Sequence, residues 1–309
     1  MAGKFRETSR FRKSEGRPSM IEGIHLGLPF WGFDGWRGGL YARDARSSDY
    51  LAQYARVFNA VEGNTTFYAE PSVASVARWA AETAEDFRFC FKLPRAITHD
   101  AMLRDAWPRT RDFLERLRPL GPRLGPLMIQ LPPGFGTAEL PRLEDFLAEL
   151  PADLRFTVEL RSPELVEEGL PARLAAEILA SRGVGRVIMD TRPLRDGPGD
   201  HPDILAARHK KPDLPVRDEA LTHDPVVRVV FHPEPAVNEP WLDRWARRLA
   251  QWIGEGQRPL VFVHSPSNRE SPAIARELLR RLGALERVGS MPAWPGESGE
   301  STSGQLALL

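Results

Sequence analysis

A single cysteine, Cys90, stands in a chain of 309 residues, so no disulfide can form within it. A fold that depends on covalent staples is excluded, and a reducing compartment, the cytoplasm, is the expected location. Any run of about 18 apolar residues is also missing, which removes a membrane-spanning helix. Net charge is absent too, since Lys plus Arg, 42, equals Asp plus Glu, 42. A surface built to attract nucleic acid or membrane everywhere does not have that balance. The glycine-rich stretch GFDGWRGG (32–39) lacks the spacing that cradles a phosphate. Residues 1–20 are basic but have no apolar signal core, and residues 291–309 are rich in Gly and Ser. Both ends are expected to be flexible tails around one domain over 21–290.

What the sequence does have is alternation. Eight short apolar runs read as buried strands: 24–28, 59–63, 87–93, 126–131, 155–160, 186–190, 226–232 and 259–264. Amphipathic helical patterns lie between most of them. Ser72 is a candidate N-cap, Pro108 interrupts the 102–121 pattern, and Ser271–Pro272 with Gly283 bracket the last helix. Strand–helix alternation repeated eight times predicts an α/β fold of the TIM-type (β/α)8 barrel class, with an open doubly wound sheet as the alternative. Residues 191–225, crowded with Pro, Asp and Gly, predict an irregular excursion in place of the sixth helix.

The strands close on polar residues: Glu62, Lys92, Gln130, Glu159, Asp190, His232 and His264. Side chains two apart share a strand face. In FRFCFKL, Phe87, Phe89 and Phe91 oppose Arg88, Cys90 and Lys92. In RFTVELR, Phe156, Val158 and Leu160 oppose Thr157, Glu159 and Arg161. In VVRVVFH, Arg228 and His232 fall on the face opposite Val227 and Val229. The apolar face should meet helices, and the polar face should point inward and end at the C-terminal rim, where barrel enzymes place their chemistry. An isolated buried charge costs several kcal/mol. Three acids (Glu62, Glu159, Asp190) and three bases (Lys92, Arg161, Arg228) can neutralise one another around a pocket, and such clusters mark functional sites. A plain internal salt-bridge lattice is the competing explanation. Cys90 reads as a buried filler.

The phrases FNAVEGNTTFYAEPS (58–72), FRFCFKLPRAITH (87–99), LGPLMIQLPPGF (124–135) and FTVELRSPE (156–164) resemble the domain-of-unknown-function-72, or YecE-like, family. That resemblance implies a TIM-type barrel and a rim pocket drawn from Glu62, Asn64, Phe67, Tyr68, Lys92, Thr98, His99, Gln130, Glu159, Arg161 and Asp190. It brings no reaction with it. The chain departs from the family's wording late in the sequence, at RVVFHP, with Arg228 displaced and Pro233 in place of glycine, and at VFVHSPSN, with His264.

Three functions fit. The first is an enzyme using acid–base chemistry on a small polar or anionic, sugar- or phosphate-like substrate, with no cofactor. Glu159 or Glu62 is then the base, Lys92 and Arg161 hold negative charge, and His99 moves a proton. Asp190 completes the catalytic candidates. Asn64, Phe67, Tyr68, Thr98, Gln130, Arg161, Arg228, His232 and His264 are the substrate-binding candidates. Trp31 offers an apolar wall, and Trp36 reads as loop packing. The second function is a metal-dependent hydrolase, of nucleic-acid phosphodiesters in one version, using Glu62, Glu159, Asp190, His232 and His264. The third is a non-catalytic module for a small ligand or single-stranded nucleic acid.

Overall fold

The computed structural model describes residues 21–298. The tail expected over 1–20, and residues 299–309 of the other, lie outside the described residues. Each apolar run forms a strand: β1 (His25–Leu28), β2 (Ala60–Gly63), β3 (Arg88–Phe91), β4 (Leu127–Gln130), β5 (Phe156–Glu159), β8 (Val226–Val230) and β9 (Leu260–His264). The sixth run is split into β6 (Gly185–Arg186) and β7 (Ile188–Asp190) by Val187.

The strands pair in parallel as a six-stranded sheet, β3-β2-β1-β9-β8-β7, and a three-stranded sheet, β4-β5-β6. Between the two, the ladder is reduced to the isolated bridges Phe89–Leu124 and Lys92–Met128 on one side, and is interrupted at Val187 on the other. The expected closed (β/α)8 ring is therefore not present as one continuous ladder. A mixed α/β fold around mostly parallel strands is.

Helices α1 (Tyr50–Tyr54), α2 (Val73–Glu82), α3 (Trp107–Leu117), α4 (Leu140–Glu149) and α5 (Leu170–Ser181) follow β1 to β5 in turn. Ser72 caps α2 by accepting from the Ser75 amide at 3.1 Å. Pro108 opens α3 rather than kinking it, because the first turn of a helix does not need the missing N–H. The 191–225 excursion is more ordered than expected. It holds α6 (Arg192–Asp196) and α7 (Pro202–Lys210), each with proline in its first turn, before an irregular return. Two long helices, α8 (Pro235–Gly254) and α9 (Ser271–Leu282), complete the chain. Among the described residues, no helix is long and apolar enough to cross a membrane.

The strands bury both faces. On one face Phe89 and Phe91 stack against Trp79 of α2, with the Trp79 and Phe91 rings 5.1 Å apart, and Phe87 meets Phe89 edge-on. On the other, Ala60, Cys90, Met128, Val187, Val226, Leu260 and Phe262, drawn from both sheets, form a separate buried apolar cluster. Two glycines are required by close approach. A Cβ at Gly27 would lie 2.1 Å from the Ala60 carbonyl oxygen, and one at Gly63 2.0 Å from the Phe91 ring. The C-terminal tail expected from 291 is packed as far as 298. Arg276 lies 3.4 Å over the Trp294 ring and pairs with Glu297, and the Gly296 amide donates to the Gly39 carbonyl.

Candidate functional site

The alternation read from the sequence positions the site. In β3 and β5 the phenylalanines and aliphatics occupy the outer core, leaving Cys90 and Lys92, and Thr157 and Glu159, on the inner face. Parallel register then sets Gln130 beside Glu159 and Glu62 beside Cys90. β8 contributes Arg228 and Val230, and β9 ends on His264.

Arg228 is the centre. Its Nε and Nη2 donate to Glu62 Oε2 and Oε1 at 2.8 and 2.7 Å, and its Nη1 donates to Glu159 Oε2 at 2.5 Å. Arg161 Nε donates to Glu159 Oε1 at 2.6 Å, and His264 Nε2 lies 3.1 Å from Glu62 Oε2. Because a carboxylate only accepts, the hydrogen between them belongs to the histidine. Lys92 Nζ donates to Gln130 Oε1 at 2.8 Å and sits 3.6 Å from Glu62; Arg161 Nη2 shares the same Gln130 oxygen at 3.1 Å. Gln130 thus links two cations.

Charge sets the protonation states. Burial would raise both carboxylic acids, but Arg228, with His264 and Lys92, holds Glu62 well below the usual range. Arg161, Arg228 and Lys92 do the same to Glu159 against its own burial. Burial lowers His264 to about 4, although Glu62 pulls the other way. It also lowers Lys92 to about 8, helped by Arg228 and opposed by Glu62 and Glu159. Cys90 is a buried filler as expected, its Sγ donating to the Pro126 carbonyl and its thiol pushed up by burial.

Over this network opens a cleft of about 470 Å³. Lys92, Gln130, Arg161, Arg228 and His264 line its floor, and Phe30, Asn64, Phe67 and Tyr68 form one wall. Asn64 is held by donating to the Pro29 carbonyl at 2.8 Å, and Tyr68 is 80% exposed at the rim. Thr98 and His99 stand behind Phe67: their side chains hydrogen-bond each other at 2.9 Å, and the His99 ring meets Phe67 edge-on at 4.9 Å. Burial and the Arg161 charge lower His99. Arg95, which precedes this turn, donates to Asp100 at 3.1 Å.

The opposite wall was not foreseen. It comes from α7 and its exit: Asp203, Ala206, Ala207, Lys210 and Lys211. Periodicity placed no element there, and the adjacent lysines of HKKPD were the one available signal. Phe30 was missed as well. Trp31, the expected apolar wall, packs edge-on against Trp79. Trp36 is buried loop packing as expected, donating its Nε1 to the Asn268 carbonyl.

Thr98 and His99 do not line the cleft, and two further expected site residues, Asp190 and His232, lie elsewhere. Asp190 pairs in register with Val229, on the outer face, and its carboxylate accepts from Arg192 and from Trp245 Nε1 of α8 at 2.9 Å. Met189 takes the inward place, its sulfur 3.8 Å from Arg228. With apolar residues on both faces of VIM, parity was not readable there. His232 lies beyond the end of β8. Its Nδ1 accepts from the Glu234 amide at 3.0 Å, and its Nε2 donates to the Pro198 carbonyl at 3.0 Å. The metal-ligand set of Glu62, Glu159, Asp190, His232 and His264 therefore does not converge. Among the described residues, no group of three or more His, Cys, Asp or Glu could hold an ion.

Comparison with known proteins accords with this architecture. Residues 25–297 match the family described as "Protein of unknown function DUF72". The UPF0759 protein YecE of Escherichia coli (strain K12) is 38% identical over 277 residues, covering 89% of this chain and 98% of the relative. Its counterpart in Escherichia coli O157:H7 is 37% identical over the same shares. Among solved structures, a DUF72 family protein from Thermotoga maritima MSB8 superposes with a TM-score of 0.63 at 20% identity, over 85% of this chain and 98% of that one. One from Enterococcus faecalis V583 gives 0.62 at 17% identity, over 84% and 97%. Matched by this family along nearly all of its described length, the chain belongs to the DUF72 proteins of unknown function.

Proposed function

We propose that the protein is an enzyme that binds a small anionic substrate in the cleft and works on it by acid–base chemistry, with Lys92 moving the proton. The two sheets are read as the staves of one (β/α)8-type barrel with two seams, on the strength of the apolar cluster they share. The observation that carries the reading is a surplus of positive charge. Lys92, Arg161, Lys210, Lys211 and Arg228 line the cleft, against Asp203 on its wall and Glu62 and Glu159 beneath it, five cations to three acids. An anion in such a partly desolvated site gains more from each charge than it would in water.

Glu62 or Glu159 was the expected base. Both are held as anions far below neutrality, and their oxygens already accept from Arg228, Arg161 and His264. A carboxylate so acidic is a poor proton acceptor at neutral pH, so these two are read as positioning Arg228. Lys92, lowered to about 8, exchanges protons near physiological pH and sits on the cleft floor.

The test is a thermal-shift titration with phosphate, pyrophosphate and small phosphorylated or carboxylated metabolites, on wild type and Lys92→Met, followed by a turnover assay with whichever compounds bind. Stabilisation of the wild type, with affinity at least about ten-fold weaker in Lys92→Met, is expected, since a lost charge-assisted hydrogen bond is worth about 1.5–3 kcal/mol. Equal stabilisation of both proteins, or none by any anion at millimolar concentration, would overturn the proposal.

A further inference from the structure

The chain uses arginine almost everywhere. Of 42 Lys plus Arg residues only five are lysines: Lys4, Lys13, Lys92, Lys210 and Lys211. All three lysines among the described residues line the same cleft. Arginine serves as well as lysine, or better, for binding an anion, but it cannot give up its proton. A site that collects lysine in an arginine-rich protein is suited to a free amine.

The three are not equivalent. Lys92 is engaged by Gln130 and lies 3.6 Å from Glu62. Lys211 has no side-chain hydrogen bond or ion pair among the described residues, although it lines the cleft together with Lys92 and Arg228. Its backbone is fixed. The amide donates to the Ala207 carbonyl at 2.9 Å, its own carbonyl accepts from Arg195 at 3.0 Å, and the next carbonyl, of Pro212, accepts from Thr191 at 2.9 Å. Burial and the charge of Arg228 lower its ammonium to about 7. At neutral pH roughly half of such groups are the unprotonated nucleophile, against about one in a few thousand ordinary lysines. A lysine beside other cations is a recurring way to activate an amine.

We propose that Lys211 forms an imine with a small aldehyde or ketone that carries a carboxylate or phosphate group. The inference rests on the anion-binding reading above and names the substrate class. The Lys211 nitrogen lone pair makes the C–N bond while the carbonyl π pair moves to oxygen. That oxygen takes a proton from the Lys92 ammonium, and the nitrogen returns one to the Lys92 amine. Lys92 then protonates the hydroxyl, which leaves as water as the nitrogen lone pair closes the C=N bond. One amine, one carbonyl and one proton give one iminium and one water. Lys92 is thus a catalytic residue of this step, and Arg161 faces the substrate's anionic group.

The full chain would be incubated with pyruvate, glyoxylate or dihydroxyacetone phosphate plus sodium cyanoborohydride, and the reduced adduct mapped by peptide mass spectrometry. Labelling of Lys211 about five-fold above Lys92, and on the order of a thousand-fold above an ordinary lysine, is expected from the difference in free amine. Lys211→Arg should lose the adduct, and Lys92→Arg should slow its formation. Thermal stabilisation by the same compounds with no adduct, or with adduct on Lys92 alone, would overturn the imine and leave the anion-binding reading standing. Neither stabilisation nor adduct would sink both.

Discussion

Arg228 holds Glu62 by a two-pronged ion pair, Nε to Oε2 at 2.8 Å and Nη2 to Oε1 at 2.7 Å, with both side chains buried. The third guanidinium nitrogen reaches Glu159. One arginine from the seventh apolar run therefore neutralises acids from the second and fifth. Arg228→Met leaves two buried carboxylates short of a partner, and breaking a buried pair costs about 3–5 kcal/mol. A fall in melting temperature of roughly 10 °C is expected by calorimetry. The Arg228→Met/Glu62→Met double variant should be clearly less unstable than the sum of the two singles, since neither then leaves the other's charge stranded.

The buried groups also fix how stability depends on pH. His264 is lowered to about 4 from its ordinary 6.5, so the unfolded chain binds its proton first and stability falls as pH drops through that interval. Glu62 and Glu159 are lowered as well. Their contribution is present above about 4.5, the unfolded value, and is lost as pH falls further towards their folded values. Chemical denaturation should show stability declining from about pH 6.5 downward through His264 and falling further below about 4.5, and only that lower part should be shallower in Glu62→Gln.

Lys211 acts on the alkaline side. Its ammonium is lowered to about 7 from 10.5, so over that span the unfolded chain holds the extra proton and the wild type gains stability as pH rises. Lys211→Met has no such titration. The variant should be more stable than wild type at pH 6.5, and the gap should narrow by pH 9. A gap independent of pH would show that the amine is not desolvated.

Asp190 belongs to the outer layer. Asp190→Ala leaves the buried Trp245 Nε1 and the Arg192 side chain without their acceptor, costing about 1–3 kcal/mol. Anion affinity measured by thermal-shift titration should stay within about two-fold of wild type, because nothing in the cleft touches this residue.

His232 is a fastener between the 191–225 excursion and the start of α8. His232→Ala removes an acceptor from the Glu234 amide and a donor from the Pro198 carbonyl. Faster amide exchange at 234 and in α6 and α7 is expected, together with weaker anion binding, since α7 is a wall of the cleft.

The legibility of the site varies from strand to strand. FRFCFKL and RFTVELR carry bulky apolar residues on one parity only, so a reader can place Lys92, Glu159 and Arg161 inside. RVIMD has apolar side chains on both parities, and the sequence does not choose between Met189 and Asp190. His232 had the right parity, but the strand stops at Val230, and past that point alternation no longer says where a side chain points. The α7 wall was hidden because PDILAARHK has no clean apolar stripe, and its helix is set by Pro202, the His201 cap and packing.

By itself the sequence determined the succession of strands and helices, their inner and outer faces where patterning is strict, and the gathering of acids and bases at the strand ends. Those follow from local periodicity and from the cost of burying charge. Only the tertiary structure decided which charges meet. It put Arg228 between Glu62 and Glu159, sent Asp190 to Trp245, and brought Lys211 of the excursion to the same cleft as Lys92. Pairing of that kind depends on register and on long-range approach, which no local pattern encodes.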